Sequence, residues 1–107
     1  MDIAEIDVDE LARRRELGSV VIDVRQPDEY EEARVPGAVL VPLAELPDRL
    51  GELPAGEPLL IICKSGARSR RACEFLAQAG VEATNIAGGT VAWIESGREV
   101  DSGFVGG

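Results

Sequence analysis

The chain has no histidine, and cysteine occurs only twice. These scarcities exclude a Cys-His or Ser-His catalytic pair and leave too few ligands for a structural zinc site. Positive charge is also short: 11 Lys and Arg stand against 20 Asp and Glu, a net charge of -9. A field of that sign works against nonspecific binding to nucleic acid or to anionic membranes. No apolar run approaches the roughly 18 residues of a spanning helix. The opening Met1-Asp2-Ile3-Ala4-Glu5-Ile6-Asp7 lacks the basic and apolar stretches of a secretory leader. The expectation is a cytoplasmic protein that engages neither nucleic acid nor membrane.

What remains suits one core. A length of 107 residues, with 45% apolar and 29% charged residues, fits a single globular domain. Short apolar runs alternate with helical patterns. Strands are expected at Ile3–Ile6, Ser19–Asp23, Val39–Val41, Leu59–Ile62 and Ala83–Ile86. Asp7 and Glu10 have the spacing of a capping box and open a helix to about Leu17, stopped by Gly18. Pro27 suits an early helical position in a helix over residues 26–33, with Tyr30 and Ala33 inward. Leu43, Leu46, Leu50 and Leu53 form a helical stripe. Pro47 is tolerable there only if the helix begins just before it. Ala87-Gly88-Gly89 reads as a flexible turn before a short helix over residues 90–96 carrying Trp93. Residues 1–100 are the expected domain and 101–107 a flexible, glycine-rich tail that Phe104 and Val105 could anchor. Strands alternating with helices imply a parallel, helix-covered sheet.

The chemistry concentrates in Leu59–Gly80. The apolar run ends at Cys63, crosses Lys64-Ser65-Gly66-Ala67-Arg68 and enters a helix at about Ser69. A thiol at the carboxyl end of a buried strand, facing the start of the next helix, meets backbone N–H groups and a helix dipole that favour an anion. Gly66 allows the loop to curl until those groups converge. Cys63 is therefore a candidate nucleophile in an anion-binding loop of Lys64, Ser65, Gly66, Ala67, Arg68 and Ser69. The alternative is a small core residue at a strand end. Arg70 and Arg71 lie where the dipole disfavours cations; they either join Lys64 and Arg68 in a basic cluster that lowers the thiol pKa, or pair with Glu74. Cys73 either packs in the core or serves as a resolving thiol for Cys63.

In order along the chain, Ile22-Asp23-Val24-Arg25 with Pro27-Asp28-Glu29-Tyr30, Val35-Pro36-Gly37-Ala38, Cys63-Lys64-Ser65-Gly66-Ala67-Arg68-Ser69, and Gly88-Gly89 with Trp93 resemble a single-domain rhodanese, a thiosulfate sulfurtransferase-like module. Arg34 departs from the family, which usually has histidine there. The resemblance implies an α/β fold with a five-stranded parallel sheet and helices on both faces. It also implies a Cys63 persulfide that carries sulfane sulfur from thiosulfate or a persulfide donor to a thiol or cyanide, with no metal or cofactor. Lys64 to Ser69 would cradle the sulfur and the incoming anion. Arg68 would shape the loop or hold substrate, and Asp23, Arg25 and Glu29 would form a structural network beside it. Two rivals stand beside this reading. A cysteine-based phosphatase or arsenate reductase would have one residue more between Cys and Arg than the four here; a binding or sulfur-relay module would act with a partner protein.

Overall fold

A computed structural model describes residues 2–54 and 56–103. In chain order these form β1 (Ala4–Ile6), α1 (Val8–Glu16), β2 (Val21–Asp23), α2 (Pro27–Glu32), β3 (Val39–Leu40), a 3-10 helix (Leu43–Glu52), β4 (Leu59–Ile62), α3 (Ala67–Gln78), β5 (Ala83–Ile86) and α4 (Gly89–Glu95). The strands make one sheet in the order β1-β5-β4-β2-β3, and every pairing is parallel. The α/β expectation of five parallel strands under two helical layers is what forms. Cys63 leaves the middle strand.

The apolar run in β4 fills both layers because successive side chains point to opposite faces. Leu59, Ile61 and Cys63 join Ile22, Leu46, Ala72, Cys73 and Leu76 on the side of the 3-10 helix and α3. Leu60 and Ile62 join Leu11, Tyr30, Ile86 and Trp93 on the side of α1, α2 and α4. All four β4 side chains are essentially buried, each contributing roughly 1.5–3 kcal/mol relative to exposure. This rigid strand fixes the height at which Cys63 emerges.

Local signals set most boundaries. Asp7 accepts from the Glu10 N–H at 2.9 Å and starts α1; Pro27 stands at the start of α2, where the Gln26 N–H donates to Glu29 Oε1 at 3.1 Å. The leucine stripe departs from expectation. It is a 3-10 helix beginning at Leu43, with Pro47 inside it, rather than a helix beginning just before Pro47. Proline disfavours α geometry in the residue before it and gives the ladder no N–H, so tighter turns accommodate it better.

The expected tail is described only to Gly103; Phe104 and Val105 lie outside the described residues. Asp101 pairs with Arg34 as an antiparallel bridge, and the Gly103 N–H donates to Glu31 O. The Arg34 guanidinium donates at 3.0 Å to both Tyr30 O and Gly103 O and lies 4.4 Å from the Tyr30 ring centroid. Arg34 thus fastens residues 101–103 to the end of α2. No helix among the described residues is long and apolar enough to cross a membrane.

Candidate active site

Beyond Cys63 the chain makes one tight loop into α3. Gly66 precedes the helix with φ 113°, a conformation that side chains rarely adopt, and this lets α3 begin at Ala67, two residues earlier than the sequence suggested. The loop folds back on the sulfur: the Gly66 N–H donates to Cys63 Sγ at 3.1 Å, and Ser69 Oγ lies 3.3 Å from it. Burial pushes the Cys63 thiol up. The Ser69 hydroxyl and the backbone N–H groups of Ser69, Gly66 and Ser65 outweigh burial, so the thiol lies below its ordinary value. A thiolate can therefore form at a site that is 1% exposed.

The structure brings part of the expected constellation together. Gly66 and Ser69 contact the sulfur. Lys64, Ser65 and Ala67 are exposed on the loop's outer side. Arg68 turns to Glu29 of α2, donating through both terminal nitrogens at 2.7 and 2.8 Å. Arg70 and Arg71 are exposed, and among the described residues they make neither the expected pair with Glu74 nor any other ion pair. The expected basic cluster is not the chief cause of the lowered thiol; hydrogen-bond donors are. Beneath Arg68, Asp23 and Arg25 form a buried pair at 2.7 Å, and Arg25 also donates to Ala33 O at 2.8 Å, tying β2 to α2.

Two contributors, Asn85 and Thr90, are not singled out in the sequence. Asn85 of β5 is 1% exposed; its Oδ1 accepts from Ser69, while its Nδ2 donates to Glu5 at 2.9 Å and to Gly66 O at 3.3 Å. The available signal was an amide in an otherwise apolar strand end. Thr90 donates through its backbone N–H and its hydroxyl to Cys63 O, at 2.9 and 3.0 Å. Gly89 makes that approach possible, because a Cβ there would lie 2.5 Å from Cys63 O and 2.6 Å from Lys64 O. The expected flexible turn is thus a close-packed clamp on the loop.

Both cysteines are free. Burial pushes the Cys73 thiol up to about 12, and the side chain packs in the core beside Ala72 and Leu76. A groove of about 160 Å³ opens beside Lys64, between Glu29 and Glu32 of α2 and Val91 and Ile94 of α4. Larger hollows, such as the one of about 430 Å³ bounded by Leu50, Pro54 and Val81, include no residue of the Cys63 loop. The smaller groove reaches the Cys63 loop at Lys64.

Residues 7–96 match the Rhodanese-like domain family. A sulfurtransferase of Allochromatium vinosum is 35% identical over 101 residues, which cover 92% of this chain and 94% of that protein. The crystal structure of a rhodanese-related protein from Thermoplasma volcanium is similar with a TM-score of 0.85 at 31% identity, over 92% of this chain and 97% of that one. A thiosulfate sulfurtransferase from Pseudomonas aeruginosa gives a TM-score of 0.85 at 26% identity, over 96% of this chain and 21% of that one.

Proposed function

The chain belongs to the rhodanese-like family of sulfurtransferase-type proteins, and on that premise we propose that it moves sulfane sulfur through a persulfide on Cys63. The observation that carries this reading is the ring of donors around one buried sulfur, with the Gly66 N–H at 3.1 Å and Ser69 Oγ at 3.3 Å. Donors of this kind stabilise a negative sulfur without a base. In the first half-reaction the Cys63 thiolate attacks the outer sulfur of thiosulfate. A Cys63–sulfur bond forms, the sulfur–sulfur bond of thiosulfate breaks, and sulfite leaves with the electron pair. The persulfide retains one negative charge, facing the N–H groups of Lys64 to Ser69. In the second half-reaction a thiolate or cyanide attacks that outer sulfur, takes it, and returns Cys63 as thiolate.

The donor class follows from charge and space. A small anion suits the exposed Lys64 and the loop N–H groups, and thiosulfate is the donor named for the Pseudomonas aeruginosa relative. Lys64, Ser65, Gly66, Ala67, Arg68 and Ser69 form the proposed binding loop, Arg68 as its brace through Glu29. A phosphatase would need its arginine turned to the bound anion, whereas Arg68 is engaged by Glu29 at 2.7 Å. Delivery of the sulfur to a partner protein is the same chemistry with a protein thiol as the second nucleophile. Initial rates of thiocyanate formation, with thiosulfate and cyanide both varied, test the reading. Parallel double-reciprocal lines, and loss of turnover in Cys63→Ser, are expected; intersecting lines or an active Cys63→Ser would overturn it.

A further inference from the structure

The side-chain donor of Cys63 is shared. Ser69 Oγ lies 3.3 Å from Cys63 Sγ and 3.2 Å from Gly66 O, and it also contacts Asn85 Oδ1. A hydroxyl has one hydrogen to give and lone pairs to accept with, so three acceptors compete for one donor. Gly66 O is served elsewhere, by the Arg70 N–H at 3.1 Å and by Asn85 Nδ2 at 3.3 Å. Nδ2 also donates to the Glu5 carboxylate at 2.9 Å, which fixes the amide and turns Oδ1 toward Ser69. The competition narrows to Cys63 Sγ and Asn85 Oδ1. With Asn85 buried, a lost donor at Oδ1 is not readily replaced by solvent.

The two protonation states of Cys63 use this chain differently. In the thiol, S–H donates to Ser69 Oγ and the Ser69 O–H donates to Asn85 Oδ1, so every group is satisfied. In the thiolate, the Cys63 proton has gone to solvent and the Ser69 hydrogen turns to the sulfur. Asn85 Oδ1 then loses its donor inside the protein. We propose that Asn85 is a positioning residue for sulfur transfer: by drawing the Ser69 hydrogen away from Cys63 it opposes ionisation, so a β5 side chain acting through Ser69 sets the thiolate population. The inference rests on Cys63 as the nucleophile proposed above.

Other ionisable groups surround the thiol. Arg68 of α3 is paired with Glu29 of α2, and the Asp23–Arg25 pair closes the end of β2. Cys73 lies further along α3, Lys64 is in the loop, and Glu5 of β1 reaches the site through Asn85. From α4 the contact is Thr90, bonded to Cys63 O. A substitution at Asn85 also removes the Nδ2 donor to Glu5 and Gly66 O, and any effect of that loss is separated from the path through the hydroxyl by the Ser69→Ala background.

Carboxamidomethylation of Cys63 by iodoacetamide, followed against pH, reads its ionisation directly. Asn85→Leu removes the competing acceptor. Alkylation on the acid side of the midpoint is expected to be about three- to tenfold faster, the effect of one hydrogen bond, with the midpoint lowered. In a Ser69→Ala background the same substitution is expected to change nothing, because the acting hydroxyl is gone. Unchanged or slower alkylation in Asn85→Leu, or an equal acceleration in both backgrounds, would overturn the proposal. Asn85→Val likewise removes the competing acceptor and covers a leucine variant that fails to fold: its midpoint should also fall, and a rise would overturn the proposal. Cys73, buried with its thiol pushed up to about 12, stays silent in the assay. No sulfur donor is present, so loss of sulfur transfer and failure of this inference are separately visible.

Discussion

Cys63 combines two properties that usually oppose each other, since burial disfavours the charged thiolate while the loop donors favour it. Ser69 is the residue on which that balance turns. Removing its hydroxyl leaves the desolvation in place and takes away a side-chain donor, so Ser69→Ala should raise the Cys63 thiol. The thiolate fraction at neutral pH then falls, and the acid limb of the sulfur-loading rate moves to higher pH. The loss expected at pH 7 is about three- to tenfold, the net effect of one hydrogen bond. Stopped-flow measurement of sulfite release across pH checks this. An unmoved acid limb would show that backbone donors alone set the thiol.

Between elements, the position of the loop depends on α4 as much as on its own strand. Thr90 fixes Cys63 O, and the Val91 N–H donates to Lys64 O at 3.0 Å. Gly89→Ala places a Cβ within 2.7 Å of backbone atoms of Cys63 and Lys64, in a residue whose φ is already +56°. Gly37→Ala has a similar φ problem, at +85°, with nothing within 4 Å. Urea unfolding should show a loss of about 1–2 kcal/mol for Gly37→Ala from backbone strain alone, and a clearly larger loss for Gly89→Ala together with lost sulfur transfer. Equal losses would mean that the close approach costs nothing. The same comparison shows what a sequence can reveal. The apolar run Leu59–Ile62, the cysteine at its end and Gly66 after it are local signals, and they sufficed for the strand, the loop and the helix. The clamp from Thr90 lies 27 residues away and reaches the loop only when β5 packs beside β4. Asn85 was hidden for the same reason. The sequence leaves Arg68 either to shape the loop or to hold substrate, because Glu29, which it meets in the fold, stands 39 residues earlier.

Across the whole molecule, the Arg68–Glu29 pair joins the two helical layers. α3 packs on one face of the sheet and α2 on the other, and the pair closes over the strand ends between them. The hydrogen bonds from Arg68 hold the Glu29 carboxyl down to about 2. Because its folded value lies below the unfolded one, the pair stabilises the fold fully above about pH 4.5, and that contribution is lost as pH falls toward 2. Partial exposure limits it to about 1 kcal/mol. Glu29→Gln should lower stability at pH 7 by about that amount and flatten the decline below pH 4.5, as read by urea midpoints across pH. A parallel decline in both proteins would contradict the assignment.

The charge of the chain makes an anionic donor an unobvious substrate. At -9 the protein as a whole repels one, so capture of such a donor depends on the loop donors and on Cys63 itself. Intact-mass analysis after incubation with thiosulfate tests that dependence most directly. The wild type should gain one sulfur atom and lose it again on addition of cyanide, and Cys63→Ser should gain none. A wild type that gains no sulfur, or a Cys63→Ser variant that gains it equally, would contradict the Cys63 persulfide.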